Sequence, residues 1–202
     1  MDFAEMFSGV ATSLISDSMD RLCGTHALKP MHGEGQLVGR ALPIKVAPGD
    51  NLYIHLALRQ VQAGDVLVID GGGSVDRALI GEIMMSVARM RGAVGYVIDG
   101  AVRDVTAFSE QRFPCFARGV THKGPYKNGP GVIGEPVAID GVVVHAGDIV
   151  VGDSDGVVFV PQARAERVSG LARAKLRDEQ AILAGIARGV YDDSWIDARL
   201  AS

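Results

Sequence analysis

The sequence predicts an α/β fold built as a single domain. Two β-branched runs, 66–69 and 94–98, flank a segment with helical periodicity, and this strand–helix–strand pattern is the basic unit of α/β folds. A length of 202 residues fits one domain, and a hydrophobic fraction of 48% is enough for a large core. We therefore expect one domain over residues 1–202, with a C-terminal helix and tail over about 161–202.

The N-terminal half of the chain predicts helices, then strands. Apolar residues recur at helical spacing over 3–22, and the serines and aspartate within this segment predict a split into two short helices. Residues 33–46 are typical of a pair of short strands. The turn at 48–51 then precedes a helix through residues 53–61, which leads into the strand–helix–strand unit over 64–104.

The C-terminal half predicts mostly short strands before a long helix. Its predicted elements are a short helix at 105–111, an edge strand at 113–117, an irregular Gly- and Pro-rich loop at 118–136, a hairpin over 137–144, strands at 149–151 and 157–160, and a long helix that opens at Pro161. A loop as long as 118–136 often carries function.

Composition and charge argue against several functional classes. The net charge of −4 and the absence of a Lys/Arg run predict no nucleic-acid partner. Because no stretch of apolar residues is long enough to span a membrane and the first residues lack signal-peptide features, we expect no membrane partner and a cytoplasmic location. The two cysteines, Cys23 and Cys115, show no zinc-ligand spacing, and we expect both to be buried thiols.

Polar side chains gather where the predicted strands end and the predicted helix begins. They are Asp70, Glu82, Asp99, Arg103 and Asp104. Open α/β sheets bind ligands at such strand ends, and carboxylates beside an arginine suit a divalent cation and an anionic substrate. The alternatives stay open: Arg103–Asp104 as a surface ion pair, Glu82 as a solvated helix residue, and the other two aspartates as turn caps.

Three consecutive glycines, Gly71 to Gly73, follow the first strand of the unit. A phosphate-binding loop would also need Gly-Lys-Ser/Thr, and a dinucleotide fingerprint would need glycine where Asp76 stands. The glycines still allow close backbone approach, and the start of the next helix offers unpaired N–H groups. A small carboxylate is therefore the better expectation for the ligand.

One spacing in this region resembles a known signature. Glu82 is followed by twenty residues and then by Arg103-Asp104, which resembles the acidic-X20-Arg-Asp signature of the 4-hydroxy-4-methyl-2-oxoglutarate aldolase and oxaloacetate decarboxylase group. This group belongs to the RraA-like family, whose members were often mislabelled as dimethylmenaquinone methyltransferases. The likeness extends to GDVLVIDGGG, VIDGAVRD and GDSDGVVFVP.

The resemblance implies a fold, an assembly and a site. The fold would be an α/β/β/α swivelling-domain sandwich of the phosphohistidine-domain type, assembled as a homotrimer or a dimer of trimers. Mg²⁺ or Mn²⁺ would be held directly by Asp104 and through water by Glu82, which stands where an aspartate is more usual. Pyruvate or its enolate would lie against Arg103 and the backbone of Gly81, Glu82, Ile83 and Met84. A neighbouring subunit would add a carboxylate, for which Glu166 and Glu179 are candidates.

The implied activity is that of a divalent-metal-dependent, class II aldolase. It would cleave 4-hydroxy-2-oxo acids, such as 4-hydroxy-4-methyl-2-oxoglutarate, to pyruvate and would also decarboxylate oxaloacetate. Arg103 would stabilise the developing enolate, and a water polarised by Glu82 is our hypothesis for the base. His122 and Lys123 in the long loop are candidates for contact with a distal carboxylate.

Two other functions compete with the metal-dependent aldolase. A Schiff-base aldolase could use Lys45, which lies in a predicted strand and is otherwise a solvated residue. A non-catalytic, trimeric RraA-type regulator of an RNA-degrading endonuclease is the non-enzymatic alternative. Since the regulator branch is understood to lack the metal-binding aspartate after the arginine, Asp104 favours the enzyme.

Overall fold

The computed structural model describes residues 3–21 and 24–201. Its helices are α1 (Phe3–Phe7), α2 (Thr12–Asp17), α3 (Leu52–Ala57), α4 (Glu82–Met90), α5 (Val105–Glu110), α6 (Ala165–Ile186) and α7 (Trp195–Leu200). Its strands are β1 (Lys29–Pro30), β2 (Leu37–Val46), β3 (Asp65–Asp70), β4 (Ala78–Ile80), β5 (Gly95–Val102), β6 (Cys115–Val120), β7 (Gly131–Ile133), β8 (Val137–Ile139), β9 (Val142–Val144), β10 (Ile149–Asp153) and β11 (Gly156–Val160).

A mixed sheet forms the centre of this single α/β domain. The strand order is β1-β6-β5-β3-β2-β10-β11, with β4 beside β5 and β7 beside β2. Strands β2, β3, β5 and β6 are parallel, whereas β10 and β11 extend the sheet antiparallel. Every residue of β3 and β5 is buried, as expected for parallel strands covered on both faces. The predicted strand–helix–strand unit is therefore confirmed as β3, α4 and β5.

Three packed groups of apolar side chains cover the sheet. Helices α3, α4 and α5 pack on one face through residues such as Ile54, Met85 and Phe108. The β8–β9 hairpin packs on the other face through residues such as Val137 and Ile139. Helices α1, α2 and the first half of α6 cover β10 and β11. This arrangement leaves the ends of the central parallel strands accessible.

Several predicted elements are confirmed. The segment 3–22 is split into α1 and α2, and the turn at 48–51 leads into α3. The hairpin over 137–144 forms, as do the strand pair β10–β11 and the long helix after Pro161. Cys115 is fully buried as predicted, whereas Cys23 lies outside the described residues. Within the described residues, no helix is long and apolar enough to cross a membrane.

The prediction of two short strands over 33–46 was wrong. A single ten-residue strand, β2, runs from Leu37 to Val46. One of its edges pairs with β3 through Arg40–Lys45, while the other pairs first with β10 through Leu37–Arg40 and then with β7 through Ile44–Val46. Pro43, which has no N–H to donate, falls between these two partners. The pairing with β7 also makes residues 131–133 regular, inside a loop that was predicted to be irregular.

Strand β5 continues past the Asp99-Gly100 pair, where the sequence predicted its end. Gly100 stays in the strand because β4, which was not predicted, pairs with β5 beyond this point. A Cβ at Gly100 would lie 3.0 Å from Cδ1 of Leu79 in β4, so the glycine also provides the space that this neighbour needs.

A partly buried ion network fastens the β8–β9 hairpin to the sheet. Arg118 donates to Asp99 at 2.6 Å and to Asp140 at 3.0 Å, and the backbone N–H of Asp140 donates to the second oxygen of Asp99. Asp140 also accepts from the N–H groups of His26 and Ala27. Those two N–H groups, followed by Arg118, lower the pKa of Asp140 against the opposing effect of burial.

The Asp140→Ala variant is expected to lose about 1.5–3 kcal/mol of unfolding free energy, because it removes charge-assisted hydrogen bonds and leaves Arg118 without one of its partners. In the wild type, this stabilisation is present above the ordinary carboxyl pKa and is lost as the pH falls through the lowered folded pKa of Asp140. Urea unfolding at several pH values measures both effects. Asp155→Ala on the exposed β10–β11 turn is the control, and equal stability of the two variants would contradict the assigned role.

Candidate active site

Two parallel strands that end side by side place the central residues of the site. Ile80 in β4 pairs with Val102 in β5, so the residues that follow each strand begin at the same edge of the sheet. The backbone N–H of Arg103 donates to the carbonyl of Ile80 at 3.0 Å and holds the two chain segments together. Gly81 and Glu82 therefore lie directly beside Arg103 and Asp104.

The carboxylate of Asp104 lies at the N-terminus of α4. Its Oδ2 accepts a hydrogen bond of 3.0 Å from the backbone N–H of Glu82 and lies 3.6 Å from Nε of Arg103. The positive end of the helix dipole favours a negative charge at this point. Within the part of the chain that the structure describes, Oδ1 of Asp104 accepts no hydrogen bond, and the side chain is 44% exposed. One carboxylate oxygen thus remains available to a ligand.

The backbone of Asp104 is held in an unusual conformation. Its φ of 57° lies in the left-handed region, which aspartate adopts more readily than most other residues. Such a conformation carries a strain of about 1–3 kcal/mol in non-glycine residues and occurs preferentially at functional sites. Asp104 occupies the position directly before α5, so this turn sets the direction of its carboxylate.

Gly81 supplies the space in which the Asp104 carboxylate lies. A Cβ on Gly81 would overlap Oδ2 of Asp104 and would lie 3.0 Å from Cγ of Arg103. The φ of Gly81 is −152°, an ordinary extended value, so the requirement is for space and not for backbone freedom. Any side chain at this position would push the carboxylate away from α4.

A cavity of about 250 Å³ opens beside this carboxylate. Its lining includes Gly81, Ile83, Met84 and Arg103 from the region of the strand ends, and Asn51, His55 and Lys127 from the segment around α3 and the following loop at 123–129. Two of the lining side chains, Arg103 and Lys127, are cationic, and none of the lining residues is an acid. The cavity is therefore suited to an anion of small size.

Asn51 presents a buried acceptor at this cavity. Its Nδ2 donates to the carbonyl of Leu79 at 2.8 Å and to the sulfur of Met84 at 3.2 Å. Its Oδ1 is buried and has no hydrogen-bond partner among the described residues. Because an unpaired buried acceptor is unfavourable, this oxygen marks a position for a ligand N–H or O–H group or for a water molecule.

Asp50 fixes the loop that carries Lys127. It accepts a 2.5 Å hydrogen bond from the backbone N–H of Asn128 and a 2.9 Å hydrogen bond from that of Leu52. Burial raises the pKa of Asp50, but backbone donors, including Gly129, outweigh burial and lower the pKa overall. The loop is thus tied to the start of α3, close to Asn51 and His55.

His55 is half-buried at the cavity and shares it with Lys127. Burial first, and then the positive charge of Lys127, lower the pKa of His55 below its ordinary value of 6.5. The imidazole is therefore neutral at neutral pH, and it can offer one hydrogen-bond donor and one acceptor to a ligand.

The five polar residues that the sequence predicted at one site do not all lie together in the structure. Glu82, Arg103 and Asp104 come together, while Glu82 is exposed and its Oε1 accepts from Nε2 of Gln111 at 3.4 Å. Asp99 belongs to the Arg118 network. Asp70 lies 3.7 Å from the ammonium group of Lys45, which is 64% exposed and does not line the cavity.

Sequence reasoning missed three residues of this cavity: Asn51, His55 and Lys127. It proposed His122 and Lys123 for the distal contact, but neither lines the cavity. The sequence around these three residues gave little indication of a functional role, because residues of these types are common at the starts of helices and in loops. Only the packing of α3 against the 123–129 loop brings them to Arg103.

The carboxylates at this site are few. Among the described residues of one chain, no group of three or more His, Cys, Asp or Glu side chains is arranged to hold a metal ion. Magnesium, however, keeps several of its waters and is often bound by one or two carboxylates together with the substrate. Asp104, with an unbonded carboxylate oxygen, and the exposed Glu82 form a donor set of this kind.

The fold and the site define an α/β protein with a cation-lined pocket beside an exposed carboxylate. A family model described as Aldolase/RraA matches residues 12–159. The chain belongs to the RraA-like family.

Relatives of this chain include proteins named as aldolases. A Halalkalibacterium halodurans protein, provisionally named 4-hydroxy-4-methyl-2-oxoglutarate aldolase, is 39% identical over 90% of this chain and 87% of its own. A Thermus thermophilus protein named 4-hydroxy-4-methyl-2-oxoglutarate aldolase is 34% identical over 66% of this chain and 81% of its own.

A solved structure similar to this chain is that of the RNA-processing inhibitor RraA from Thermus thermophilus. It has a TM-score of 0.69 and 31% identity, and the match covers 75% of this chain and 93% of that chain. The names of relatives thus include both an enzyme and an inhibitor.

Replacing Gly81 by alanine is expected to destabilise the protein by about 1–3 kcal/mol, because the added Cβ overlaps the Asp104 carboxylate. Gly170→Ala in α6 is the matched control, since a Cβ there meets no atom within 4 Å. Urea unfolding of both variants measures the difference. A Gly81→Ala variant as stable as Gly170→Ala would show that the space beside Asp104 is not needed.

The pKa of His55 is expected to lie below 6.5 in the free protein and to rise in the Lys127→Met variant, because the neighbouring positive charge is removed. NMR titration of the imidazole signals measures both values, with His55→Gln used for assignment. Lys123→Met, in the same loop but outside the cavity, should leave the pKa of His55 unchanged. Equal shifts in the two lysine variants would contradict the assigned contact.

Proposed function

We propose that this protein is a divalent-metal-dependent, class II carbon–carbon lyase that cleaves 4-hydroxy-2-oxo acids to pyruvate. The observation that carries the proposal is the Asp104 carboxylate at the N-terminus of α4, beside Arg103 and a cavity lined by cations. The relatives named 4-hydroxy-4-methyl-2-oxoglutarate aldolase support the same reaction class. Decarboxylation of oxaloacetate, which also passes through the pyruvate enolate, is part of the proposal.

The charges of the cavity support a dicarboxylic oxo acid as substrate. Arg103 can bind a carboxylate or an enolate oxygen with its fork of N–H groups, and Lys127 supplies a second positive charge in the lining of the cavity. A single carboxylate would leave one of these cations without a partner. We therefore assign the pyruvyl end of the substrate to Arg103 and the distal carboxylate to Lys127.

The proposed metal is Mg²⁺ or Mn²⁺, with Asp104 as a direct ligand and Glu82 acting through water. When bound, such an ion acts as a Lewis acid toward the 2-oxo group of the substrate. The unbonded Oδ1 of Asp104 and the exposed carboxylate of Glu82 support this assignment, because both are available oxygen ligands.

The side chains of this protein would bind the substrate and move its protons. Arg103 and the backbone N–H groups of Gly81, Ile83 and Met84 at the start of α4 would hold the pyruvyl carboxylate and stabilise the enolate oxygen as the C3–C4 bond breaks, while the N–H of Glu82 donates to Asp104. The unpaired Oδ1 of Asn51 would accept a hydrogen bond from a water molecule bound beside the substrate. Glu82 would polarise a water that takes the proton of the C4 hydroxyl as the C3–C4 bond breaks, and this proton would later be returned to the enolate carbon to give pyruvate.

The remaining features implied by the family resemblance are proposals of the same kind. They are the swivelling-domain description of the fold, assembly as a homotrimer or a dimer of trimers, a cytoplasmic location, and a carboxylate contributed by a neighbouring subunit. Glu166 and Glu179, both on α6, stay the candidates for that carboxylate.

A non-catalytic regulator of an RNA-degrading endonuclease is the alternative function. The observation in its favour is the similarity to the Thermus thermophilus RNA-processing inhibitor RraA, which covers 93% of that chain. In this alternative, Arg103 and Asp104 would contribute to a protein-binding surface and no oxo acid would be turned over.

Pyruvate release from oxaloacetate and from 4-hydroxy-4-methyl-2-oxoglutarate is expected to require a divalent cation. EDTA should abolish it, and excess Mg²⁺ or Mn²⁺ should restore it. The Asp104→Ala variant is expected to reduce kcat/KM by at least about a thousandfold, because it removes the direct ligand of the metal. Coupled reduction of pyruvate by lactate dehydrogenase, followed by NADH absorbance, measures the rate.

Asp76→Ala is the control for this experiment, since Asp76 is an exposed carboxylate that does not line the cavity. It should leave the rate unchanged, and both variants should keep the oligomeric mass of the wild type. Turnover that resists EDTA, together with borohydride trapping of pyruvate on Lys45, would overturn the metal-dependent mechanism. A wild type that releases no pyruvate from any 4-hydroxy-2-oxo acid or oxaloacetate would favour the regulator.

A further inference from the structure

The loop at 123–129 carries Lys127 to the cavity, and the side chain of this lysine does not hold itself there. The loop lies between β6 and β7. Lys127 lines the cavity, but within the part of the chain that the structure describes its ammonium group forms no hydrogen bond and no ion pair. The position of Lys127 is therefore set by contacts of its neighbours in the loop.

Arg77 binds this loop on the N-terminal side of Lys127. Its Nη1 donates to the carbonyl of Gly124 at 2.8 Å, and its Nη2 donates to the hydroxyl of Tyr126 at 2.8 Å. Its guanidinium carbon also lies 4.1 Å from the centre of the Tyr126 ring, within range of a cation–π interaction. One guanidinium thus holds the loop at a backbone atom and at a side chain. A lysine, which is a point charge without a planar fork, could not make this set of contacts.

Arg77 is itself held by the turn that precedes α3. Gly49 in this turn lies against its aliphatic stem, since a Cβ on Gly49 would lie 3.1 Å from Cδ and 3.3 Å from Cβ of Arg77. The carbonyl of Gly49 accepts the N–H of Tyr126 at 2.8 Å, and the carbonyl of Tyr126 accepts the N–H of Asn51 at 3.0 Å. The turn, Arg77 and the loop thus form one connected unit that includes two cavity residues, Asn51 and Lys127.

The turn side of this unit is buried, whereas the loop side is exposed. Asp50 in the turn is buried, and Tyr126 in the loop is 53% exposed. Hydrogen bonds that tie an exposed segment to the domain open more readily than those of the core. Arg77 spans the junction, because its stem packs on Gly49 and its guanidinium binds Tyr126. Without Arg77, the loop is expected to leave the turn more often and to take Lys127 away from the cavity.

We propose that Arg77 is a positioning residue, which clamps the loop at 123–129 onto the turn before α3 and thereby keeps Lys127 at the cavity. Arg77 does not line the cavity, so its effect on a ligand passes through the loop. The consequence for substrate binding rests on the proposed function, whereas the placement of Lys127 does not.

NMR titration of His55 tests the placement of Lys127 without any substrate. Arg77→Ala is expected to raise the pKa of His55 toward 6.5, because the charge of Lys127, which helps to lower this pKa, moves away. Arg77→Lys keeps the positive charge but loses the fork, and it should raise the pKa by a similar amount. In the Lys127→Met background the shift is expected to be absent, whereas a direct effect of the Arg77 charge would persist.

Two further variants separate the clamp from a general loss of stability. Asp140→Ala removes contacts of the β8–β9 hairpin and should leave the pKa of His55 unchanged. Tyr126→Leu removes the ring and the hydroxyl that Arg77 binds, and it should shift the pKa of His55 in the same direction as Arg77→Ala. A cooperative thermal melt identifies any variant that does not fold. An unchanged pKa in folded Arg77→Ala or Tyr126→Leu would overturn the proposal, as would equal shifts with and without Lys127.

Kinetics add a readout that depends on the proposed lyase activity. For 4-hydroxy-4-methyl-2-oxoglutarate, whose distal carboxylate is assigned to Lys127, Arg77→Ala is expected to raise KM about tenfold with little change in kcat. For 4-hydroxy-2-oxopentanoate, which lacks that carboxylate, KM should be the same in the variant and the wild type. An equal loss on both substrates would indicate general damage to the site and would contradict the positioning role.

Failure of the proposed function and failure of this inference give different results. A wild type that turns over neither acid would contradict the lyase activity alone, and the pKa of His55 would still decide the role of Arg77. A wild type that turns over both acids, with an unchanged His55 pKa in Arg77→Ala, would leave the lyase in place and overturn the clamp.

Discussion

The site depends on one constraint, which is the close approach of two chain segments where parallel strands β4 and β5 end. Gly81 leaves enough space for the Asp104 carboxylate to reach the first N–H group of α4. That contact places a negative charge at a helix N-terminus and directs Arg103 toward the cavity. A larger residue at position 81 would separate the acid from the helix, and with it the proposed metal ligand from the proposed substrate site.

Two acids, one buried and one partly buried, tie loops of this domain to neighbouring elements. Asp50 holds the loop that carries Lys127, and Asp140 holds the β8–β9 hairpin against Arg118 and Asp99. Both acids accept backbone N–H groups, which lower their pKa values and keep them charged at neutral pH. The loop that brings Lys127 to the cavity is therefore held in place by Asp50, while Asp104 and Glu82 remain exposed.

The cavity brings together side chains of different chemistry. The cavity combines Arg103, Lys127, a neutral His55 and the unpaired oxygen of Asn51, a set suited to a small acid with a hydroxyl group.

Local sequence patterns determined much of this structure. The β-branched runs predicted β3 and β5, the Asp-Gly turn predicted the β8–β9 hairpin, and the Glu82, Arg103 and Asp104 spacing identified one half of the site. Tertiary structure decided the length of β2, the existence of β4 and β7, and the arrival of Asn51, His55 and Lys127 at the cavity. The physical reason is that these features arise from pairing and packing between segments distant in sequence, which leave no periodicity in the residues themselves.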